Sequence, residues 1–267
     1  VTEEAFGDVK IAVADGIGTL TIDCGDGRNA LRPDSLREIC AAMDQLTADA
    51  EVRVILLAAA GRHFSAGADF AFLQQLTTMP AVDIRDEIYR AFQGAARRIW
   101  TCPKPTLAAI GGAAVTVGCE LSLACDFRIV APDAFFQESW IKLGILPPLG
   151  GLFLLPHLIG LGRANEMILS GRAVAADEAV AIGLAARKAE SADALMPTAR
   201  AFATELAALP PLAYRAAKDG LHRGLESSMD KEWTASLLAQ SLLLGTEDFR
   251  EGLAAVRERR APMFAGR

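Results

Sequence analysis

A carboxylate stands inside a stretch that otherwise reads as apolar interior. The segment from Thr106 to Gly151 opens with Leu107-Ala108-Ala109-Ile110, a run typical of a buried strand. Gly111 and Gly112 break that run. Small residues follow from Ala113 to Cys119, and Glu120 then begins Glu120-Leu121-Ser122-Leu123-Ala124-Cys125-Asp126. That composition predicts a buried helix. Removing a glutamate from water without a partner is costly, so such residues are seldom fully buried alone. Glu120 therefore either faces a cleft with a raised pKa or pairs with a cation. In a cleft it can take and return protons near neutral pH. The plain alternative is a glutamate near a helix N-terminus, favoured there by the helix dipole.

The chain also resembles the crotonase, or enoyl-CoA hydratase/isomerase, superfamily. The similarity is carried by Gly27-Arg28-Asn29-Ala30-Leu31, His63-Phe64-Ser65-Ala66-Gly67-Ala68-Asp69-Phe70 and Gly112 to Asp126. It continues through Ala134-Phe135-Phe136, Leu143-Gly144-Ile145-Leu146-Pro147, Gly150-Gly151, Leu155-Pro156 and Gly171-Arg172 to Gly183-Leu184, and reaches the ending Arg259 to Arg267. Several motifs in order, over nearly the whole chain, make the match specific. It implies a thioester enzyme that stabilises an enolate-like oxyanion with two backbone N–H groups. By motif position these belong to Ala68 and Val117, and Glu120 is the acid/base. Losing one such donor typically costs about 3 kcal/mol. The small residues of Ser65–Asp69 suit a close backbone approach before a helix.

The chain departs from the family in three places. Thr116-Val117-Gly118-Cys119 stands where a run of glycines is expected, so a branched side chain must fit beside the thioester. The second carboxylate of many family hydratases falls on Trp140. Trp140 is thus a candidate acyl-pocket wall, able to stack a cyclic or aromatic group, or else simply core. Glu138, two residues earlier, is the candidate second acid. An offset of two along an extended strand shifts it by ~6–7 Å, and its plainer role is a surface or interface salt bridge. Thirdly, Leu152-Phe153-Leu154 replaces the usual polar residues after Gly150-Gly151, and Ile145–Leu149 lacks the nucleophilic acid of the family's dehalogenases.

For the coenzyme A moiety, the resemblance implies Arg28 near the phosphates. Ala30 and Leu31 would lie along the adenine or pantetheine path. Ala66, Asp69 and Phe70 would sit around the adenine and thioester, with Arg260 and Phe264 supplied by a neighbouring subunit. No cofactor beyond the substrate's own coenzyme A is implied. One carboxylate suits a double-bond shift and serves hydration less easily. Hydratase leads, with isomerase, hydrolase or retro-Claisen variants open. A non-catalytic acyl-CoA carrier is the reading from another class, although it would have no use for a buried acid.

The elements that must position these groups follow from periodicity. Val9–Val13 and Ile17–Ile22 alternate about Ala14-Asp15-Gly16, predicting a hairpin. Pro33 to Thr47 places Leu36, Ile39, Cys40, Met43 and Leu46 on one helical face. Val54–Ala58 is continuously apolar, as in a strand covered on both sides. Helices are predicted over Phe70–Leu76 and Ile84–Trp100, and strands over Phe127–Ala131 and Gly183–Ala185. Asp193–Ala208, Leu212–Gly224, Met229–Leu244 and Thr246–Arg259 read as helices. The fold class is α/β, and the resemblance implies a spiral of ββα turns with a C-terminal helical region. Residues 1–195 would form the core domain and 196–267 a helical trimerisation region. Leu237, Leu238, Ser241, Leu242 and Leu244 either pack on the chain's own core or form a subunit interface; the family pattern, a homotrimer or dimer of trimers, favours the second.

Bulk properties exclude other classes. Of 267 residues, 52% are hydrophobic, so a core needs no staple. The net charge of −6, with no basic run, argues against nucleic acid as a partner. Five scattered cysteines and three distant histidines show neither disulfide nor metal spacing. The opening Val1–Ala5 is short and acidic, without a signal-peptide pattern, and no apolar run approaches the ~18 residues of a membrane span. A cytoplasmic protein is expected.

Overall fold

Alternating apolar strands and amphipathic helices build two β layers wound in one spiral. The computed structural model describes residues 2–267; Val1 of the acidic opening lies outside them. The strands are β1 (Thr2–Ala5), β2 (Val9–Ala14), β3 (Ile17–Ile22), β4 (Ala30–Leu31), β5 (Val54–Ala59) and β6 (Gly67–Ala68). They continue with β7 (Thr106–Ile110), β8 (Ala113–Val115), β9 (Phe127–Val130), β10 (Phe135–Gln137), β11 (Ala173–Ala175) and β12 (Arg187–Lys188). One sheet has the order β1-β2-β3-β5-β7-β9-β12. The second layer holds the pair β4-β6 and the three strands β11-β10-β8. An isolated parallel bridge between Ser65 and Ala114 links these two groups. Each turn of the chain adds one long strand to the first layer and a short one to the second, then a helix. This is the expected ββα spiral.

The hairpin forms as predicted, with Ala14 paired to Ile17 across a two-residue loop. Asp15 and Gly16 both have positive φ (52° and 76°), as a type I′ turn requires. From β3 onward the long strands run parallel. β5 is covered on both faces: Ile55 and Leu57 join one core cluster, Val54, Leu56 and Ala58 the other. Helix Pro33–Ala48 contributes buried Leu36, Ile39, Met43 and Leu46 to the first cluster. Helix Leu195–Ala207 closes the second with Leu195, Ala199, Ala203 and Leu206.

Two expectations change. The single helix over Ile84–Trp100 is α-helical only from Tyr89; Ile84–Ile88 forms a π turn. A hydrophobic period does not distinguish i→i+4 from i→i+5 bonding. Gly183–Ala185 is not a strand. Its apolar residues belong to a buried loop in which the Leu184 carbonyl accepts from Arg128 Nε, and β12 follows at Arg187. Of the two readings open for helix Met229–Leu243, packing of its leucines on the chain's own core is not what the structure has. Leu237, Leu238, Leu242 and Leu244 are exposed, Leu242 at 79%.

The C-terminal helices are nonetheless tied to the sheet. In helix Pro211–Gly224, Lys218 Nζ lies 2.9 Å from Asp126 Oδ2, with Lys218 buried and Asp126 largely so. The same oxygen accepts from Tyr214 and from the Thr106 N–H. No helix among the described residues is long and apolar enough to cross a membrane.

Candidate active site

The site begins where the two β layers meet the helix Val117–Leu123. Residues 65–67 press against residues 116–118. A methyl group at Gly118 would lie 2.6 Å from Ser65 Cβ, and one at Gly67 would overlap Thr116 Oγ1. Only glycine allows this approach. It sets the β6 turn carrying Ala68 beside the helix start carrying Val117. Val117 is the first residue of its helix, so its N–H has no acceptor within it. Thr116, just before, adopts φ 46° and ψ −110°, a region that costs a non-glycine residue of order 1–3 kcal/mol. Its N–H is held by the Gln137 carbonyl at 2.8 Å.

The β6 turn is fixed from behind. Ser65 Oγ donates to the Asn29 carbonyl at 2.7 Å and accepts from the Gly67 N–H at 3.1 Å. Buried Asn29, at φ 52°, donates its side-chain amide to the carbonyls of Ala60 and His63. Asn29 and Ser65 lie within the recognised motifs, but no sequence pattern singled them out as supports of the turn.

Glu120 sits one turn into the helix and is fully buried. Its Oε1 accepts from Trp140 Nε1 at 3.1 Å, and its Oε2 from the N–H groups of Leu149 (2.7 Å) and Gly151 (2.8 Å). Gly151 begins helix Gly151–Ile159, so Oε2 lies at a helix N-terminus. Burial pushes the carboxyl up to about 7, while the N–H donors of Gly151, Leu149 and Trp140 pull it down. A carboxyl with that balance changes protonation near neutral pH. Among the described residues it makes no contact with a cation, and its side chain is fully buried. Arg128 supports the other end of the helix. Buried itself, it donates to the carbonyls of Ser122 and Cys125.

Glu138 is brought to this centre, and its expected surface salt bridge is overturned. Parallel pairing of β8 with β10 matches Val115 to Gln137, which carries Glu138 alongside the helix start. It is fully buried, and among the described residues neither carboxyl oxygen has a hydrogen-bond partner. Burial first, then the charge of Glu120, push its pKa well above the ordinary carboxyl range, against a weaker downward pull from Cys119 and Trp140. Trp140 is buried as well, and its indole N–H aims at Glu120, a role its position alone did not suggest. The Gly150-Gly151 pair was the available signal for the second donor group, since a helix start with free N–H groups can hold an anion.

The loops expected to hold coenzyme A come together in part. The Ala66 N–H donates to the Arg28 carbonyl, and the Asp69 N–H to that of Leu31. β4 and β6 pair Ala30 with Gly67 and Leu31 with Ala68. Arg28, Ala66 and Phe70 are exposed there. The Leu31 side chain is fully in the core, so only its backbone can face a ligand. Asp69 caps the helix Phe70–Leu76 by accepting from the Phe72 N–H. Arg260 and Phe264 are not near these loops within one chain. Arg260 is paired with Glu251 and Glu258, and Phe264 packs beside Gly252. Among the described residues, no group of side chains is arranged to hold a metal ion.

Beside Glu120 opens a cleft of about 910 Å³, between helix Tyr89–Trp100 and residues 148–154. Leu149, which holds Glu120, forms part of its wall, with Gly150, Phe153 and Leu154. Tyr89 lines the opposite side. Burial and then the Glu120 charge raise its pKa, which fits a phenol within electrostatic reach of that carboxyl.

Comparison with known proteins agrees with this geometry. The model of the Enoyl-CoA hydratase/isomerase family matches residues 13–267. Crotonyl-CoA hydratase of Syntrophomonas wolfei is 33% identical over 261 residues, covering 97% of this chain and 98% of that protein. The crystal structure of a putative enoyl-CoA hydratase from Streptomyces coelicolor superposes with a TM-score of 0.93 at 30% identity, covering 100% of this chain and 97% of the other. Enoyl-CoA hydratase from Bacillus anthracis superposes with a TM-score of 0.90 at 32% identity, covering 97% and 100%. With a family model matched over residues 13–267, a relative 33% identical along almost its whole length and a superposing fold, the chain belongs to the enoyl-CoA hydratase/isomerase family.

Proposed function

We propose that the chain hydrates a trans-2-enoyl-CoA thioester, with Glu120 as the acid/base. The observation that carries this reading is Glu120 itself: fully buried, held by three N–H donors, and raised to about 7. The N–H groups of Ala68 and Val117 bind the thioester oxygen. Ionised Glu120 takes a proton from water as the water oxygen bonds to Cβ. The C=C electron pair moves to the thioester oxygen as an enolate, and protonated Glu120 returns its proton to Cα. Water is thereby added across the double bond, and the carboxylate is regenerated. The two amides supply their stabilisation when charge develops on oxygen, which is the electrostatic share of the rate. No group beyond the substrate's own coenzyme A takes part.

The substrate's coenzyme A would lie along Arg28, Ala30, Leu31, Ala66, Asp69 and Phe70, with Arg260 and Phe264 contributed by another copy of the chain. Support for an assembly comes from the exposed face of Trp233, Leu237, Leu238 and Leu242, too apolar for a solvated helix. A trimer or dimer of trimers is the form we infer, with residues 196–267 as the region that assembles it. A single-chain mass in sedimentation, with activity retained, would refute it. Five free cysteines support a reducing, cytoplasmic setting.

Isomerisation is the second reading. It is favoured by Trp140 at the second carboxylate's expected place and by the enclosed, unpartnered oxygens of Glu138. The two are separated by incubating the protein with a trans-2-enoyl-CoA and a 3-enoyl-CoA in deuterated water. A 3-hydroxyacyl product from the first carries hydration. Positional isomers alone, with label exchange, replace it by isomerisation. No product from either, with acyl-CoA binding unchanged in Glu120→Gln, would leave a carrier and end the catalytic reading.

A further inference from the structure

The cleft beside Glu120 has a charge its neighbourhood does not explain. Helix Tyr89–Trp100 and the π turn before it present Arg85, Arg90, Arg97 and Arg98 to the cavity, and no acidic side chain lines it among the described residues. Arg85 pairs with Asp86 and Arg98 with Asp44. Arg90 and Arg97 make no ion pair among the described side chains. The opposite wall is backbone and apolar surface, from Pro148 to Leu154, with Gln93 Nε2 bridging to the Pro148 carbonyl at 2.9 Å. The cavity is therefore apolar near Glu120 and cationic along the helix.

We propose that this cleft receives the far end of the acyl chain and that the substrate is an enoyl-CoA whose acyl group ends in a carboxylate, held by Arg90 and Arg97. The proposal rests on the acyl-CoA reading above. The cavity's volume of about 910 Å³ lies at the upper end of ordinary small-molecule sites, far more than a short unsubstituted chain fills. None of its lining residues belongs to the β4 and β6 turns assigned to coenzyme A, so the anion it fits is one carried by the acyl group itself. Guanidinium groups bind carboxylates through paired N–H donors, which makes arginine the fitting residue type.

The test compares kcat/KM for two trans-2-enoyl-CoA thioesters of matched length, one ending in methyl and one in carboxylate. They are assayed with the wild-type protein and with Arg90→Gln, Arg97→Gln and the double variant. Hydrogen bonds between charged groups translate into a preference of about tenfold to a hundredfold for the carboxylate. That preference is expected to shrink with added salt and to collapse in the double variant. A wild-type ratio near one overturns the proposal. So does an equal fall for both substrates together with weaker binding of free coenzyme A, because the arginines would then serve the nucleotide phosphates. If neither thioester is turned over, calorimetry with the saturated analogues still decides. A carboxylate preference lost in the double variant keeps the cleft and removes the reaction, and its absence removes the cleft.

Discussion

The indole N–H of Trp140 donates to Glu120 Oε1 at 3.1 Å, at the position where the family resemblance led to the expectation of a second carboxylate. The substitution exchanges a like charge for a donor. A neighbouring carboxylate would hold the Glu120 pKa up, whereas the indole favours its ionised form. Trp140→Phe removes that donor and retains most of the ring. The acid limb of kcat/KM is then expected to move to higher pH, by about one unit for a lost charge-assisted hydrogen bond. A limb that stays in place would show that Trp140 only fills space.

In the proposed hydration Glu120 must be ionised to activate water, and burial pushes its pKa up to about 7. Activity is therefore expected to rise with pH through that value. Glu120→Gln keeps the shape of the side chain but cannot take a proton. Its kcat should fall by about 10²–10⁴, the usual share of a general acid/base. A variant within a few-fold of wild type would remove Glu120 from the chemistry.

The contact between Gly67 and Thr116 sets the turn carrying Ala68 beside the helix start carrying Val117, the two proposed oxyanion donors. Gly67 has φ 101°, and an added methyl would meet Thr116 Oγ1 and lie 3.1 Å from the Val115 carbonyl. Gly67→Ala must therefore push the β6 turn from the helix start. Losing one oxyanion donor lowers kcat by about 10²–10³, and that loss is expected here even where the folded fraction, followed by circular dichroism, is unchanged. Wild-type kcat would mean that the two turns need not touch.

Glu138 buries two unpartnered oxygens, a cost of about 1–3 kcal/mol for each polar group left unsatisfied. Its pKa is raised in the native state, so the sign of the linkage is fixed. Below the unfolded value both states are protonated and the group is neutral. As pH rises, the unfolded chain ionises while the native one does not, and stability is lost until pH passes the raised native pKa. Glu138→Met, of similar volume, should stabilise the protein, with an advantage that grows as pH rises above the ordinary carboxyl range in denaturant titrations. An advantage independent of pH would show that Glu138 is not held protonated.

Glu120, the two small-residue turns and the strand and helix pattern were legible from residue types and spacing. A carboxylate in an apolar helix, glycines at crowded turns and apolar runs of different period are all local signals. The motifs then fixed the family. The partners of Glu120 were not legible, because Trp140, Leu149 and Gly151 lie 20 to 31 residues along the chain and meet it only through packing. The place of Glu138 was likewise decided by strand pairing. A local offset put it at the surface, whereas the register of β8 on β10 carried it into the core. The same holds for the arginine-lined cleft, whose two walls belong to separate turns of the spiral. Sequence specifies which groups are available and what local shape each prefers; which of them share a dry pocket, and therefore what their protons do, depends on contacts that exist only once the layers have closed.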